Sequence, residues 1–343
     1  MNAGIDGAAA PVRLARRDQS TFDGRACAAA FRGARSRWPA NRRTITDGGM
    51  DRLAPFGFVL LWASSFIASR VGLRFLSPFL FVTIRLALAT TVLVGALVLL
   101  RRPWRAPAGQ WGHCAVAGVL TNSVLLLTAH YAMVHTGAAQ IALVQTLNPL
   151  LTALLAWPVL GERVRPMQWL GLLLGAAGVV LVVGLAAARS PVEFNGLLLT
   201  AGGVVGLCAG TLYFGRFCRG VPILEGTAVQ LLAATASCLL ATAVLETPHA
   251  EWTTPAISAV LWNAIAVSLG GMALYYLMLV RGTAARATAN FYLVPGTAAL
   301  LAWALLDERL SPLTVAGLIV SSLGCWLVSR RQLTSPRTAS SRT

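Results

Sequence analysis

The sequence predicts an all-α polytopic membrane protein, with ten transmembrane helices arranged as two inverted five-helix repeats. Three observations carry this expectation. The 343 residues are 56% hydrophobic and 12% charged, with a mean hydropathy of +0.68. A soluble domain of that length has no core able to hide so much apolar surface. Apolar segments bounded by Arg, Pro and Gly follow one another from Leu53 to Val328, each near the ~20 residues that cross a hydrocarbon layer. Finally, the chain repeats itself at an offset of 146 residues. Leu154-Leu155-Ala156-Trp157 returns as Leu300-Leu301-Ala302-Trp303, Pro149 as Pro295, Glu162-Arg163 as Glu308-Arg309, and Arg70 as Arg216. Five spans per copy is an odd number, so the second copy enters the bilayer upside down relative to the first. Such inverted pairs build sites near the membrane midplane.

The elements follow in order. Residues 1–49 carry nine arginines and four aspartates and no apolar run, which reads as a disordered basic tail. Met1–Thr46 lacks the apolar core of a cleaved secretory signal, and Met50, directly before the first span, reads as an alternative translation start. The first repeat occupies 50–187, the second 195–330, and a tail follows at 331–343. The ten spans fall at 54–73, 78–100, 111–134, 138–160, 167–187, 195–216, 225–245, 256–280, 284–306 and 312–329. Runs this long and continuously apolar do not alternate as barrel strands do, so they are helices. Pro78, Pro166, Pro255 and Pro312 stand at or near span starts, where proline costs little.

Charge gives the orientation. All 28 basic side chains are arginine, and the net charge is +16. They lie in the short connections between apolar spans, so the excess reflects the bias of cytoplasmic loops and not a nucleic-acid groove. With the N-terminus inside, the inner connections hold Arg101, Arg102, Arg105, Arg163, Arg165, Arg216, Arg219, Arg281, Arg330 and Arg331. The outer ones hold only Arg70, Arg74, Arg189 and Arg309, beside Glu193, Glu246, Glu251, Asp307 and Glu308. Both termini are expected in the cytoplasm. Glu162 and Glu308, each followed by arginine at a helix end, read as loop anchors.

The six cysteines are scattered and mostly sit within apolar spans, where cysteine behaves as a small hydrophobe; neither a disulfide nor a metal site is expected, and no cofactor. Gly202, Gly206 and Gly210 share one face of the sixth span, and Gly171 and Gly175 one face of the fifth. Such stripes let helices approach closely, within one chain or between the copies of a homodimer.

Polar groups gather at the depth of the two prolines. Pro149 and Pro295 lie mid-span, where each removes a backbone hydrogen bond and makes a hinge with a freed carbonyl. The first span offers Trp62, Ser64 and Ser65, the third Asn122 and Ser123. The fourth presents Gln145, Asn148 and Thr152 on one helical face, the eighth Tyr275 and Tyr276, the ninth Asn290 and Tyr292. Amides and hydroxyls bind a polar solute directionally while aromatic rings cover its apolar part. Arg85 lies seven residues into the second span, about 10 Å deep at 1.5 Å per residue. An intramembrane charge faces protein or water, so Arg85 is the candidate for a substrate carboxylate. Arg286, near a span end, reads as snorkelling. No Asp or Glu lies mid-span, and His130 is the one embedded group that titrates near neutrality; this favours facilitated or weakly coupled movement over a carboxylate proton relay.

The run Trp157-Pro158-Val159-Leu160-Gly161-Glu162-Arg163-Val164, followed by Gln168-Trp169-Leu170-Gly171 and Gly178, resembles the end of the fourth helix in the drug/metabolite transporter superfamily, EamA-like branch. Leu305-Leu306-Asp307-Glu308-Arg309-Leu310 resembles its repeat, Trp62-Ala63-Ser64-Ser65-Phe66 the first-helix motif, and Arg85 falls where the second helix usually carries arginine. The resemblance covers residues 53–330. It implies a ten-helix bacterial inner-membrane carrier that exports amino acids or related small metabolites. Its central cavity would be lined by helices one, three, four, six, eight and nine. Arg70 stands where that family often has lysine, and Asp307 where it usually has glycine.

Three other functions compete. A membrane enzyme acting on lipid needs a nucleophile–base pair or a metal cluster, and the chain contains no GxSxG, HExxH or intramembrane Asp pair. A lipid or multidrug flippase of the same fold would need a cavity opening sideways to lipid. A structural scaffold leaves the midplane polar residues without a purpose. The expected partners are a small polar or amphipathic metabolite and the bilayer.

Overall fold

The computed structural model describes residues 50–102, 109–160, 166–218, 221–271 with 274 and 278, 293–308 and 311–330. The architecture below concerns the unit Arg43–Thr343. Among the described residues every element is helical except one isolated bridge, Leu76 to Ala250. In order they are α1 (Met50–Gly72), α2 (Pro78–Leu99), α3 (Gln110–Gly118), a first π segment (Val119–Val124), and α4 (Leu125–His135). Then come α5 (Ala138–Gln145), α6 (Leu147–Leu160), α7 (Pro166–Arg189), α8 (Pro191–Phe217), α9 (Ile223–Leu245) and α10 (Thr254–Leu261). A second π segment (Trp262–Gly271), α11 (Val294–Leu306) and α12 (Pro312–Arg330) complete the chain.

Seven helices among the described residues are long and apolar enough to cross a membrane. They correspond to predicted spans one, two, three, five, six, seven and eight. Span ten is α12, whose apolar stretch Pro312–Gly324 is shorter. Span nine is represented by α11, with 284–292 outside the described residues. Span four departs from a single rod: it is two helices, α5 and α6, that meet at Thr146. Pro149 has no N–H to offer the carbonyl of Gln145, so the ladder is interrupted there. The Thr146 N–H and hydroxyl both turn back to Leu143 O, at 2.9 and 2.7 Å. In the second repeat, α11 starts at Val294 and Pro295 occupies its first turn, where a missing N–H is tolerated.

Helix starts are capped as their residues dictate. Glu246 accepts from Ser77 Oγ and from the backbone of Phe79 and Leu80 at 2.8, 3.1 and 3.0 Å, placing a carboxylate on the positive end of α2. Ser190 and Thr253 accept from Glu193 N and Ala256 N at the starts of α8 and α10. At the far end of α11, Asp307 adopts φ 54°, the left-handed conformation. Glycine enters that region freely and aspartate tolerates it, which accounts for Asp where the resembled family has Gly. Asp307→Gly is therefore expected to raise the melting temperature slightly, by the equivalent of about 1 kcal/mol, measured in detergent.

Glycines set the closest packing, and two rows of them run antiparallel to their partners. Along α8, an added Cβ at Gly196, Gly203 and Gly210 would meet Ala132, Thr128 and Thr121 in turn. Gly206 packs on Val124, whereas Gly202 faces nothing within 4 Å, so the predicted stripe is displaced by one residue at its start. Along α7, Gly178 lies against Gly317 and Ser321, Gly175 receives the Ser321 hydroxyl on its carbonyl at 3.0 Å, and Gly171 meets Gly324. Helices α2 and α9 also cross antiparallel, through Thr83–Thr242 and Thr90–Thr235 hydroxyl pairs at 2.9 and 3.0 Å. A core of buried apolar residues from α1, α4, α5, α7, α8, α11 and α12 joins these rods.

Candidate functional site

Among the described residues, three rods lose regular α geometry. The two π segments are repeat counterparts, since 119–124 maps to 265–270, inside the second. Leu147, which opens α6 after the break at Thr146, maps to Leu293, which directly precedes α11. Wide turns shift hydrogen bonds by one residue and are frequent at functional sites. In the second, the Asn263 carbonyl accepts the Ser268 hydroxyl at 2.9 Å.

On α1, Ser65 returns its hydroxyl to Trp62 O at 2.6 Å, leaving its lone pairs as acceptors. Ser64 bonds Leu61 O at 2.8 Å and accepts Trp262 Nε1 at 2.9 Å. The Trp62 ring packs 5.4 Å from Phe58 and against the main core. On the third rod, Asn122 donates to Gly118 O at 3.3 Å and Thr121 Oγ1 at 3.0 Å. Ser123 is committed to α9, bonding Ser237 Oγ at 2.6 Å.

The predicted face of the fourth span divides at the break. Asn148 and Thr152 converge on Cys208 of α8. The thiol reaches Asn148 Oδ1 at 3.2 Å, and Thr152 Oγ1 reaches Asn148 Oδ1 at 3.4 Å and the sulfur at 3.5 Å. Gln145, partly buried at the end of α5, makes no such contact. Pro149 lies in the first turn of α6. Tyr275, Asn290 and Tyr292 fall outside the described residues, as does Arg286.

Arg85 is partly buried in α2, and its Nε is sealed from solvent without a hydrogen-bond partner. Among the described residues the ion pair is Arg70–Glu308, and His249 Nε2 lies 3.4 Å from Glu251; neither contact involves Arg85. No group of three or more His, Cys, Asp or Glu able to hold a metal occurs among them. His130 is a packing residue: Nδ1 bonds Leu126 O at 2.7 Å, Nε2 bonds Ser69 Oγ at 3.0 Å, and the ring stacks on Phe81. Since a carbonyl only accepts, Nδ1 carries a proton, and in the neutral ring Nε2 accepts from Ser69.

Two further groups belong beside the predicted ones. Asn263 is completely buried, with Nδ2 on Ala259 O at 3.2 Å and Oδ1 without a partner. Its sequence signal is an amide inside an apolar segment, the same that singles out Asn122. Cys208 gives no such signal, because a cysteine in an apolar run reads as a hydrophobe. A separate cleft of about 560 Å³ lies at the ends of α2, α4 and α9, lined by Phe79, Tyr131, His135 and Glu246 among others; none of the predicted site residues lines it.

Against this geometry, the family model described as the EamA-like transporter family matches residues 53–184 and 194–330. The chain is 25% identical over 80% of its length to "Uncharacterized transporter YvbV" of Bacillus subtilis, covering 89% of that protein. It is 25% identical to "Uncharacterized inner membrane transporter YedA" of Escherichia coli K12, over 82% of this chain and 94% of that one. A "Probable terminal-alkyne amino-acid exporter" of Streptantibioticus cattleyicolor is 28% identical over the same shares, 82% and 94%. One crystal structure, 22% identical, superposes with a TM-score of 0.59 over 82% of this chain and 98% of its own, a likeness that bears on fold alone.

Proposed function

Because this chain belongs to the EamA-like transporter family, we propose that it is an inner-membrane carrier that exports amino acids or related small polar metabolites by alternating access. The observation that carries the substrate class is Arg85. A cation inside an apolar bundle, with a buried donor unpartnered and no carboxylate beside it among the described residues, is costly unless an anion arrives to use it. A substrate carboxylate supplies that anion. The amides of Asn122, Gln145 and Asn148, with the Ser65 hydroxyl, supply directional contacts for the rest of a zwitterion, and Trp62 an apolar wall. Tyr275, Asn290 and Tyr292 are proposed to complete the site. The relative named as a probable amino-acid exporter agrees with this chemistry.

Alternating access needs two arrangements of nearly equal energy, which like repeats in opposite orientation provide. The contact pattern supports ten spans in two inverted repeats. Exchanging repeats at the 146 offset turns the Gly57–Leu274 contact into Thr128–Gly203, and Gly178–Gly317 into Gly324–Gly171, while Gly175–Ser321 maps onto itself. A self-mapping antiparallel crossing is what a two-fold axis in the membrane plane produces. Pro149 and Pro295 are the proposed hinges, and the arginine bias supports cytoplasmic termini.

Reconstitution into proteoliposomes tests the reading. Vesicles loaded with an unlabelled amino acid are expected to drive counterflow of the labelled one, tested across acidic, neutral and basic members. Flipping of a fluorescent lipid with no movement of any amino acid or cationic drug would replace it with the flippase.

A further inference from the structure

We propose that Arg70 and Glu308 are the gate on the outer side of the carrier, closed in this structure. This rests on the alternating-access reading above. Arg70 ends α1 in the first repeat, and Glu308 follows α11 in the second. Their charges approach to 3.8 Å between Nε and Oε1. Arg70 Nη1 also donates to Met133 O, and at 3.4 Å to Val134 O, at the C-terminal end of α4. Glu308 Oε1 accepts from Ala138 N at 3.2 Å, at the first turn of α5. One cation therefore sits on carbonyls at a helix end and one anion on an amide at a helix start, each on the terminus whose dipole favours it. Four segments from both repeats meet at this point. Beneath it the facing residues Ala138, Ile141, Ala298 and Ala302 of α5 and α11 are buried without access to solvent.

The opposite end of the molecule differs. Arg216 is the repeat counterpart of Arg70, ending α8 as Arg70 ends α1. It is exposed, with its guanidinium 5.7 Å from the Phe217 ring, and no ion pair of its own among the described residues. Glu162, the counterpart of Glu308, lies outside the described residues; of the two arginines, Arg70 is half-buried under its contacts and Arg216 is exposed. In a pair of like repeats, such asymmetry is what separates one access state from its mirror image. The clasp also suits a gate energetically. Both side chains keep some solvent exposure, 30% and 18%, and a partly exposed pair at this distance is weak, so it positions the helices without locking them.

The test reads accessibility in the full-length protein and needs no substrate. Ala139→Cys places a thiol at a buried position below the clasp. Gly215→Cys places one at an exposed position near the C-terminal end of α8, beside Arg216. Each is labelled with an impermeant maleimide, in intact cells and in inverted vesicles respectively. Glu308→Gln keeps an acceptor for Ala138 and removes the charge. It is expected to raise labelling at Ala139→Cys at least fivefold and to lower it at Gly215→Cys. A rise at both positions means a loosened fold, and no change at either means an inert anchor; both overturn the proposal. Should Glu308→Gln not reach the membrane, Arg70→Lys carries the test. It keeps the charge and loses the grip on two carbonyls, and is expected to raise Ala139→Cys labelling two- to threefold; labelling equal to the parent overturns the gate. Reciprocal labelling in a protein that moves no solute would leave the gate standing and remove the carrier.

Discussion

Gly178→Val is expected to leave little folded protein in the membrane, and Gly178→Ala to melt well below the parent. A Cβ at Gly178 would lie 2.4 Å from Ser321 Oγ, 2.5 Å from Gly317 O and 2.8 Å from Ser321 N. The last two are backbone atoms of α12, so no rotamer change makes room. Relief requires α7 and α12 to separate, which also stretches the Ser321–Gly175 hydrogen bond and the mirror contact of Gly324 on Gly171 and Gly175. Overpacking of this kind costs about 3 kcal/mol, and lipid offers no hydrophobic force to push the helices back together. The matched control is Gly202→Ala, in a helix interior with nothing within 4 Å. It should be stabilising by about 0.5–1 kcal/mol, because alanine is the better helix former. Melting curves in one detergent decide. Equal melting temperatures for the two alanine variants would mean that the α7–α12 approach is not close in the folded protein.

That contrast also marks how far the sequence could be read. Seven spans were legible because apolar length is set by lipid thickness: among the described residues, seven of the predicted segments hold helices long and apolar enough to cross a membrane. The glycine rows were legible as faces but not as contacts: Gly171 and Gly175 pack as their spacing implies, whereas Gly202 does not and Gly203 does. Which side of a glycine-rich helix meets a neighbour depends on where that neighbour sits, and periodicity along one helix does not contain this. The break in the fourth span was legible at Pro149, since a missing N–H must free a carbonyl. Its position at Thr146 follows from geometry three residues upstream. The π segments were not legible, because no residue type demands them. They arise where side chains such as Ser268 divert a carbonyl within a packed rod. Among site residues, Asn148 and Thr152 do share a face, and what they share it with, Cys208, gave no polar signal. Arg70 and Glu308 were legible as helix ends only. Their meeting across 238 positions is a property of the folded bundle.

Arg85→Gln is expected to lower transport about a hundredfold while the protein melts no lower than the parent, and this pairing of outcomes tests the substrate assignment most sharply. A partly buried arginine with its Nε sealed and unpartnered and no carboxylate at ion-pair distance among the described residues is a net cost to the empty protein, because the desolvation of that donor is not offset. Removing it should therefore be neutral or stabilising. The substrate loses by the same change. Truncating one partner of a desolvated charge pair costs about 3 kcal/mol, and at 1.4 kcal/mol per decade that is roughly a factor of 100. Arg85→Lys retains the charge on a narrower, more strongly hydrated head and loses the planar fork that holds both oxygens of a carboxylate. It should fall between the two in flux and weaken apparent affinity more than maximal rate. A structural role predicts another pattern: flux and melting temperature would fall together, and lysine would rescue both. Measured on the same proteoliposome preparation, a parallel loss would remove Arg85 from the binding site and leave the carboxylate of an exported amino acid without its proposed partner.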